Sequence, residues 1–539
     1  MFFELLSVPL LRQNKKLGFK MILQKKLLSF AIIIISMYIS WLPVYSNSGA
    51  WMTFDLIAHT DRAISTANEL RSGQIFSFFD FSYPYYPGYS WNLFYPPLEN
   101  FIYTGLYLFS NNINFSLKIL TILITIIAFI HSFISFIYLN INKGKSLFLA
   151  ILFSSSLYQI DNLFIRGAIP ESLAVSFIPL FIASLINDTN NKSFLILTYA
   201  ITGMLLSNIP LFLCCGLVGF VYLMLDFKKF NLLVKSFIFS IALSSFYFLP
   251  LLYSMHGQHF PIMDTNWFPI MSEKSITFYE LISGEKIKSG KLSNMVLGIG
   301  WPLFILFLYS LTQKTNKNII GTIAILTVLI TCAADYSFLP EKLYFLNKIQ
   351  YTWRLIPFLL FLLLVNISLF EKIKPTHLLI SIFIISLMSS WMSVKTLNSY
   401  NITELNFRGS NNTVFTDYTL KNTKKLKEYD KELSCTSQKD LKNENIPYSS
   451  GRGKYGLPYF IFSTDKEMQC VIPVMAYNSL VIDGERESID GYLAYKTSAG
   501  ENIARIEYHK YFLYTVISGF VLSFIFTLYF VFLVFYKKR

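Results

Sequence analysis

Apolar runs close to twenty residues long recur along almost the whole chain, and wound into helices each would match the thickness of a bilayer's hydrocarbon layer. Helices in soluble cores seldom stay apolar for so long. The pattern therefore predicts a polytopic α-helical membrane protein with about a dozen crossings. Composition agrees: of 539 residues, 53% are hydrophobic, 17% aromatic and 14% charged, against roughly 25% charged in a soluble domain. The clearest runs are 27–45, 115–139, 193–208, 235–256, 294–312, 353–370, 377–394 and 511–536. Shorter or proline-broken ones are 146–158, 168–186, 211–225 and 319–334.

Lys and Arg collect at 12–26, at Lys143 and Lys145, Lys192, Lys228 and Lys229, Lys314 and Lys317, Lys372 and Lys374, and in the final KKR. Cationic short loops stay cytoplasmic, so both termini are expected inside. Four parts follow: a basic cytoplasmic N-terminus 1–26, a transmembrane domain 27–396 with an outer loop 46–98, an extracytoplasmic soluble domain 397–510, and a C-terminal anchor 511–539. Further outer segments are expected at 161–167, 257–293 and 335–351. Segment 97–109 is apolar but short, and counting it as a crossing would invert every later loop, so it is expected to be re-entrant or interfacial. The first run exceeds a signal-peptide core and reads as an uncleaved anchor, with Met21 an alternative start. The net charge of +14 follows the juxtamembrane positions, which points to anionic membrane lipids as partners and not to nucleic acid.

The 397–510 region turns abruptly polar. Its second half alternates like strands in CVIPV from Cys470, SLVID from Ser479, YLAYK from Tyr492 and NIARIEY from Asn502, with DGERE and TSAGEN as turns. An antiparallel sheet or small β-sandwich is expected there, preceded by a solvated helix in KNTKKLKEYDKEL from Lys421, so the domain reads as α+β or sandwich-like. Cys435 and Cys470 share this domain, either bridged or as two thiols. Cys214, Cys215 and Cys332 lie in or beside apolar runs and are expected to pack as small hydrophobes.

The chemistry concentrates in the first outer loop, where Asp55, His59 and Arg62 of DLIAHTDR precede the aromatic run YPYYPGYSWNLFYPPL. On a helix, spacings of four and three put all three on one face. A carboxylate can take a proton from an attacking hydroxyl, cations can stabilise a departing phosphate, and the rings of Tyr89, Trp91 and Tyr95 can stack on a sugar's C–H face. Two blander readings stay open: a solvated cap for Asp55, and a structural ion pair for the set. Asp61 falls off that face. Arg166 and Glu171 flank Pro170 at a predicted outer edge, where charge needs a partner; they either pair with each other or line a pocket, with Asp161 as accessory. Arg354 is a third cation for phosphate or snorkels to headgroups. His256 and His259 in HGQH lack a third ligand in register, and a divalent metal stays open. GRGKYG from Gly451 lacks phosphate-loop spacing and reads as a flexible loop whose Arg452 and Lys454 could meet an anionic acceptor.

Asp55, His59 and Arg62, then GYSWNLFYPPL, then DNLFIRGAIPESLA from Asp161, then YTWRLIPF from Tyr351 together resemble bacterial membrane proteins labelled 6-pyruvoyl-tetrahydropterin synthase-related. That family is similar to glycosyltransferases of the GT-C superfold. Pterin chemistry itself is set aside, because the six histidines are scattered. The resemblance implies an inverting transferase in a bacterial cell membrane. It would move sugar from a lipid-linked donor, a polyprenyl phosphate, to an envelope glycan or lipid acceptor on the outer face. Asp55 would then be the base, with His59 and Arg62 orienting phosphate. The competing class is a non-enzymatic protein that binds or translocates a lipid-linked saccharide. An ion-coupled transporter fits less well, since few acids lie deep within the runs.

Overall fold

The computed structural model describes residues 15–42, 55–83, 85–187, 189–263, 275–284, 295–312, 316–331, 351–397, 416–421, 423–426, 432–437 and 443–536. Cys332, the extreme termini and much of the expected outer segments 257–293 and 335–351 lie outside the described residues.

Among the described residues, four helices are long and apolar enough to cross a membrane: Ile113–Tyr138, Ile169–Ile186, Thr352–Leu369 and Lys510–Phe535. Counting each of two bent helix pairs as one span brings the number to six, and five shorter apolar helices accompany them. Among the described residues the expected dozen is not confirmed. Two of the clearest runs explain part of the shortfall. The run at 235–256 is broken into two helices bent by 77°. The broken ladder is completed from elsewhere in the chain, because Ser523 Oγ donates to Leu243 O at 2.7 Å and accepts from Phe246 N at 3.2 Å. The run at 294–312 yields only the helix Trp301–Ser310, with Pro302 in its first turn. The preceding residues leave helical pairing, Ile299 N bonding to Leu281 O at 2.8 Å.

Helix α1, Leu56–Arg71, carries the segment expected as the first outer loop. It ends at Ser72 and Gly73, where Gln74 N returns to Glu69 O and Gly73 N to Leu70 O. This pattern of two back-bonds asks for a left-handed residue, which Gly73 supplies at φ 88°. Helix α2, Leu98–Ser110, follows the Pro96–Pro97 break. Its 13 residues span about 20 Å, short of the hydrocarbon thickness. Helices α3, Phe230–Leu243, and α4, Ser245–Met255, are the bent pair, and α5, Lys510–Tyr536, is the last helix. α5 seats against α4, with Ser245 Oγ donating to Gly519 O at 2.9 Å.

The C-terminal domain is an antiparallel β-sandwich. One sheet has the order β2-β1-β5-β8-β7, with β1 Glu432–Ser437, β2 Asn443–Pro447, β5 Met468–Met475, β7 Glu487–Ile489 and β8 Tyr492–Lys496. The other has the order β3-β4-β9-β6, with β3 Ser449–Arg452, β4 Pro458–Thr464, β6 Leu480–Ile482 and β9 Gly500–Tyr508. All four strands expected from the sequence are present. Cys435 and Cys470 face each other across β1 and β5 and are bridged. The expected helix from Lys421 lies partly outside the described residues, which omit 422 and 427–431, and the described part is not helical. Residues 423–426 are irregular, Lys424 N bonds to Asp490 O and Leu426 N to Tyr85 O, and Glu432 already belongs to β1. Within 423–426, backbone groups claimed by neighbouring segments leave no helical ladder.

One hydrophobic core fills the helical bundle, and a second joins the sandwich to the first outer loop. In the second, Phe79, Tyr89, Trp91 and Phe94 pack with Tyr418, Phe460, Ile472 and Tyr477.

Candidate functional site

The strongest convergence of the sequence-predicted residues lies at the start of α1. Asp55 is the residue before the helix, yet its side chain makes no capping bond. The carboxylate instead reaches Arg166, with Oδ2 3.1 Å from Nε, while Asp55 N donates to Arg166 O at 3.0 Å. Arg166 ends a π-helical turn, Asp161–Arg166, closed by Gly167, and such turns often mark functional positions. Glu171 stands in the first turn of the helix beginning at Ile169. It accepts from Arg166 Nη1 and from Arg354 Nε, both at 2.9 Å, and from Tyr158 Oη at 2.6 Å. Asn162 Nδ2 adds a bond at 3.3 Å. Both guanidiniums lie near the Trp353 ring, whose centre is 4.8 Å from Arg166 Cζ and 5.8 Å from Arg354 Cζ.

Three segments far apart in sequence thus meet in one chain of charges, Asp55 to Arg166 to Glu171 to Arg354. Of the two readings the sequence left open, the pairing of Arg166 with Glu171 is formed, and Arg166 also reaches the first loop through Asp55. The Asp55 side chain is 41% exposed and Glu171 only 1%. The cluster therefore has a dry, fully engaged interior and one carboxylate open to what lies outside. Asp161 is buried beside it, accepting from Val296 N at 2.7 Å. Sequence reasoning missed Trp353, Tyr158 and Asn162, although all three stand in or beside the quoted motifs DNLFIR and YTWRLIPF.

His59 and Arg62 meet on Tyr95. The His59 ring lies edge-on to it at 5.5 Å, and Arg62 Cζ sits 5.0 Å from its centre. Burial, reinforced by the Arg62 guanidinium, holds the imidazole down to about 3, so His59 is neutral at ordinary pH. Arg62 differs from the expected phosphate ligand. Nε donates to Asn92 Oδ1 at 2.9 Å and Nη2 to the carbonyls of Tyr95 and Pro96, both at 3.0 Å, while Nη1 stands 4.0 Å from Glu99. These bonds make it an internal clamp between α1 and the Tyr95–Pro97 turn. Asp61 is buried on the same helix.

Two of the three rings expected to stack on sugar are covered. Tyr89 stacks on Tyr83 at 4.5 Å and meets Trp91 edge-on at 5.0 Å, both inside the core shared with the sandwich. Tyr95 is only half-buried and adjoins the open end of the cluster.

The GRGKYG segment is also not the flexible loop expected. Arg452 Nη1 pairs with Glu69 Oε2 at 2.9 Å, and its guanidinium lies over Phe81. Gly456 abuts the end of α1 so closely that a Cβ would meet Gln74 N at 2.2 Å, and its φ is 72°. Only glycine lets the sandwich dock there. Lys454 lies over Tyr455. His256 and His259 are exposed on a loop bonded to the sandwich, where Lys421 N donates to His259 O and Gln258 Nε2 to Ala476 O. Among the described residues, no three His, Cys, Asp or Glu side chains gather as a metal-binding group.

No family model matches this sequence, and no curated protein matches it. The resemblance to pyruvoyl-tetrahydropterin synthase-related proteins thus rests on its motifs alone. Among solved structures, the chain is similar to the single-particle cryo-EM structure of the arabinofuranosyltransferase AftD from Mycobacteria. The TM-score is 0.42 and the identity 16%, covering 68% of this chain and 26% of that one. The chain thus spans about a quarter of that structure's length, and a likeness this distant identifies neither fold nor function.

Proposed function

We propose that the protein is a GT-C-like membrane glycosyltransferase that moves a sugar from a polyprenyl-phosphate donor to an envelope glycan or lipid. One observation carries the reading: an exposed carboxylate, Asp55, is held 3.1 Å from an arginine that Glu171 ties to a second arginine. In the reaction the acceptor hydroxyl gives its proton to Asp55 and attacks the sugar's anomeric carbon. The bond to the phosphate oxygen breaks, and the positive field of Arg166, backed by the buried Arg354, stabilises the departing anion. Tyr95 offers the remaining ring for the sugar. A divalent ion is compatible with this chemistry, since Asp55 is an oxygen donor, but no step needs one.

The Asp55–Arg166 pairing also favours a second reading, in which the carboxylate only positions the arginine and the protein binds or translocates a lipid-linked saccharide. Transfer of labelled sugar from polyprenyl-phosphate donors by purified protein in lipid separates them. Asp55→Asn should lower transfer by roughly 10²–10⁴-fold, the worth of a general base, with the thermal transition unchanged. Undiminished transfer in that variant overturns the assignment of the base; saturable donor binding without any transfer by the unaltered protein selects the second reading.

A further inference from the structure

A cavity of about 450 Å³ lies at the other end of α1 from Asp55, walled by α1, α2, α4 and α5. Its lining is almost wholly apolar, including Leu70, Phe76, Phe101, Leu108, Phe246 and Phe520. The volume falls within the roughly 300–1,000 Å³ of ligand sites. Thr66 and Asn92 form a small polar patch in it, bonded to each other at 2.8 Å. Leu70 is fifteen residues beyond Asp55, about 22 Å along a helix, so the cavity stands apart from the charged cluster.

Three features identify what fills it. Its rim is bare hydrocarbon: Ile75 is 70% exposed, Phe101 57% and Phe520 45%. Phe520 belongs to α5, the least protein-covered of the four long apolar helices, so the rim opens towards lipid and not water. A cation stands outside the lining, where Arg71, the residue after Leu70, is exposed and reaches over the Tyr107 ring to donate to Asn111 Oδ1 at 2.8 Å. A hydrocarbon-lined cavity open to the bilayer, with an exposed arginine one residue along the chain from its lining, matches one class of molecule. We propose that it holds an acyl chain of an anionic glycerophospholipid whose phosphate meets Arg71. The lipid would wedge the first-loop helices against the bent pair and the C-terminal helix.

Gly105 offers a clean test. It lines the cavity on α2, and a Cβ built there meets nothing within 4 Å. Gly105→Leu therefore plugs the cavity without a clash and removes a helix-interior glycine. The full chain, delipidated in detergent, would be titrated with phosphatidylglycerol, phosphatidylcholine or undecaprenyl phosphate and read by native mass spectrometry. The unaltered protein should retain one phosphatidylglycerol. Gly105→Leu should bind it about tenfold more weakly, the worth of roughly two buried methylenes. Arg71→Gln should remove the preference for phosphatidylglycerol over phosphatidylcholine. Ile75→Ser, on the exposed rim where folding is not at stake, should weaken both lipids. Equal retention by the parent, Gly105→Leu and Ile75→Ser overturns the site; displacement of phosphatidylglycerol by equimolar undecaprenyl phosphate overturns the assigned lipid.

Discussion

Two arginine–carboxylate groupings lie within two turns of one another on the first-loop helix, and they are built to opposite plans. At its start, Asp55 faces outward, and its arginine is shared with Glu171 in a chain that continues to Arg354. Further along, Arg62 and Glu99 are both essentially unexposed and stand 4.0 Å apart. Burial pushes the Glu99 carboxyl up to about 7, against the pull of Arg62. A charge sealed in this way is costly to move and is suited to fixing geometry. A charge left at an edge, backed by a dry and fully bonded partner, is suited to meeting a ligand. Residue type does not separate the two; access does.

The contrast breaks first, and most heavily, at Arg62. Arg62→Met removes three hydrogen bonds and strands Glu99, which should cost about 3–5 kcal/mol and lower the thermal transition of detergent-purified protein. Asp55→Asn should leave that transition near its parent value. If the two variants melt alike, the edge carboxylate is as structural as the sealed pair and the distinction falls. A smaller loss is expected inside the open cluster. Glu171→Gln keeps a bond to Tyr158 but removes the anion that Arg166 and Arg354 share, leaving Arg166 to Asp55, a loss of about 2–3 kcal/mol by the worth of charged hydrogen bonds. The same melting experiment checks it. Arg452→Gln should cost about 1–2 kcal/mol through its bonds to Glu69, and its clearer sign is faster protease release of the sandwich.

The smallest effect is a pH dependence in which two groups oppose. Glu99 holds its proton more tightly folded than unfolded, so it contributes stability that falls as pH rises from about 4.5 to 7. His59 is neutral when folded and protonated when unfolded, so its contribution is lost as pH falls from 6.5 towards about 3. Between pH 4.5 and 6.5 the two slopes cancel in part. Glu99→Gln should expose the His59 slope, with stability dropping on acidification. His59→Gln should expose the reverse, and melting curves across that range read both. Flat profiles in both variants would mean that neither group is as dry as its surroundings indicate.

The regular elements were legible because they have periods. Four strands of the sandwich appear where alternation placed them, and the length of 97–109 predicted a helix too short to cross. The breaks were less legible, since the bend at Ser244 depends on Ser523, nearly three hundred residues on, whose hydroxyl completes the interrupted ladder. Asp55, Arg166, Glu171 and Arg354 were found because charge beside apolar runs demands a partner. Their pairing was not, for it is made by folding. Tyr89 and Trp91 looked like ligand platforms because nothing in an aromatic run says which rings will be covered. Arg452 looked like a surface cation until Gly456 brought it to Glu69.

The core that buries Tyr89 and Trp91 has a temporal consequence. Its walls come from residues 79–94 and from strands that begin only at Glu432. During synthesis the aromatic run emerges hundreds of residues before its cover exists. Until then it is a sticky, uncovered surface following α1, the helix that starts at the exposed Asp55. A chain halted before the sandwich would leave that aromatic run bare, although Asp55, Arg166, Glu171 and Arg354 would all have been made. The C-terminal strands therefore act as a completion mark for the aromatic wall: it is sealed only on a chain that has been made nearly to its end.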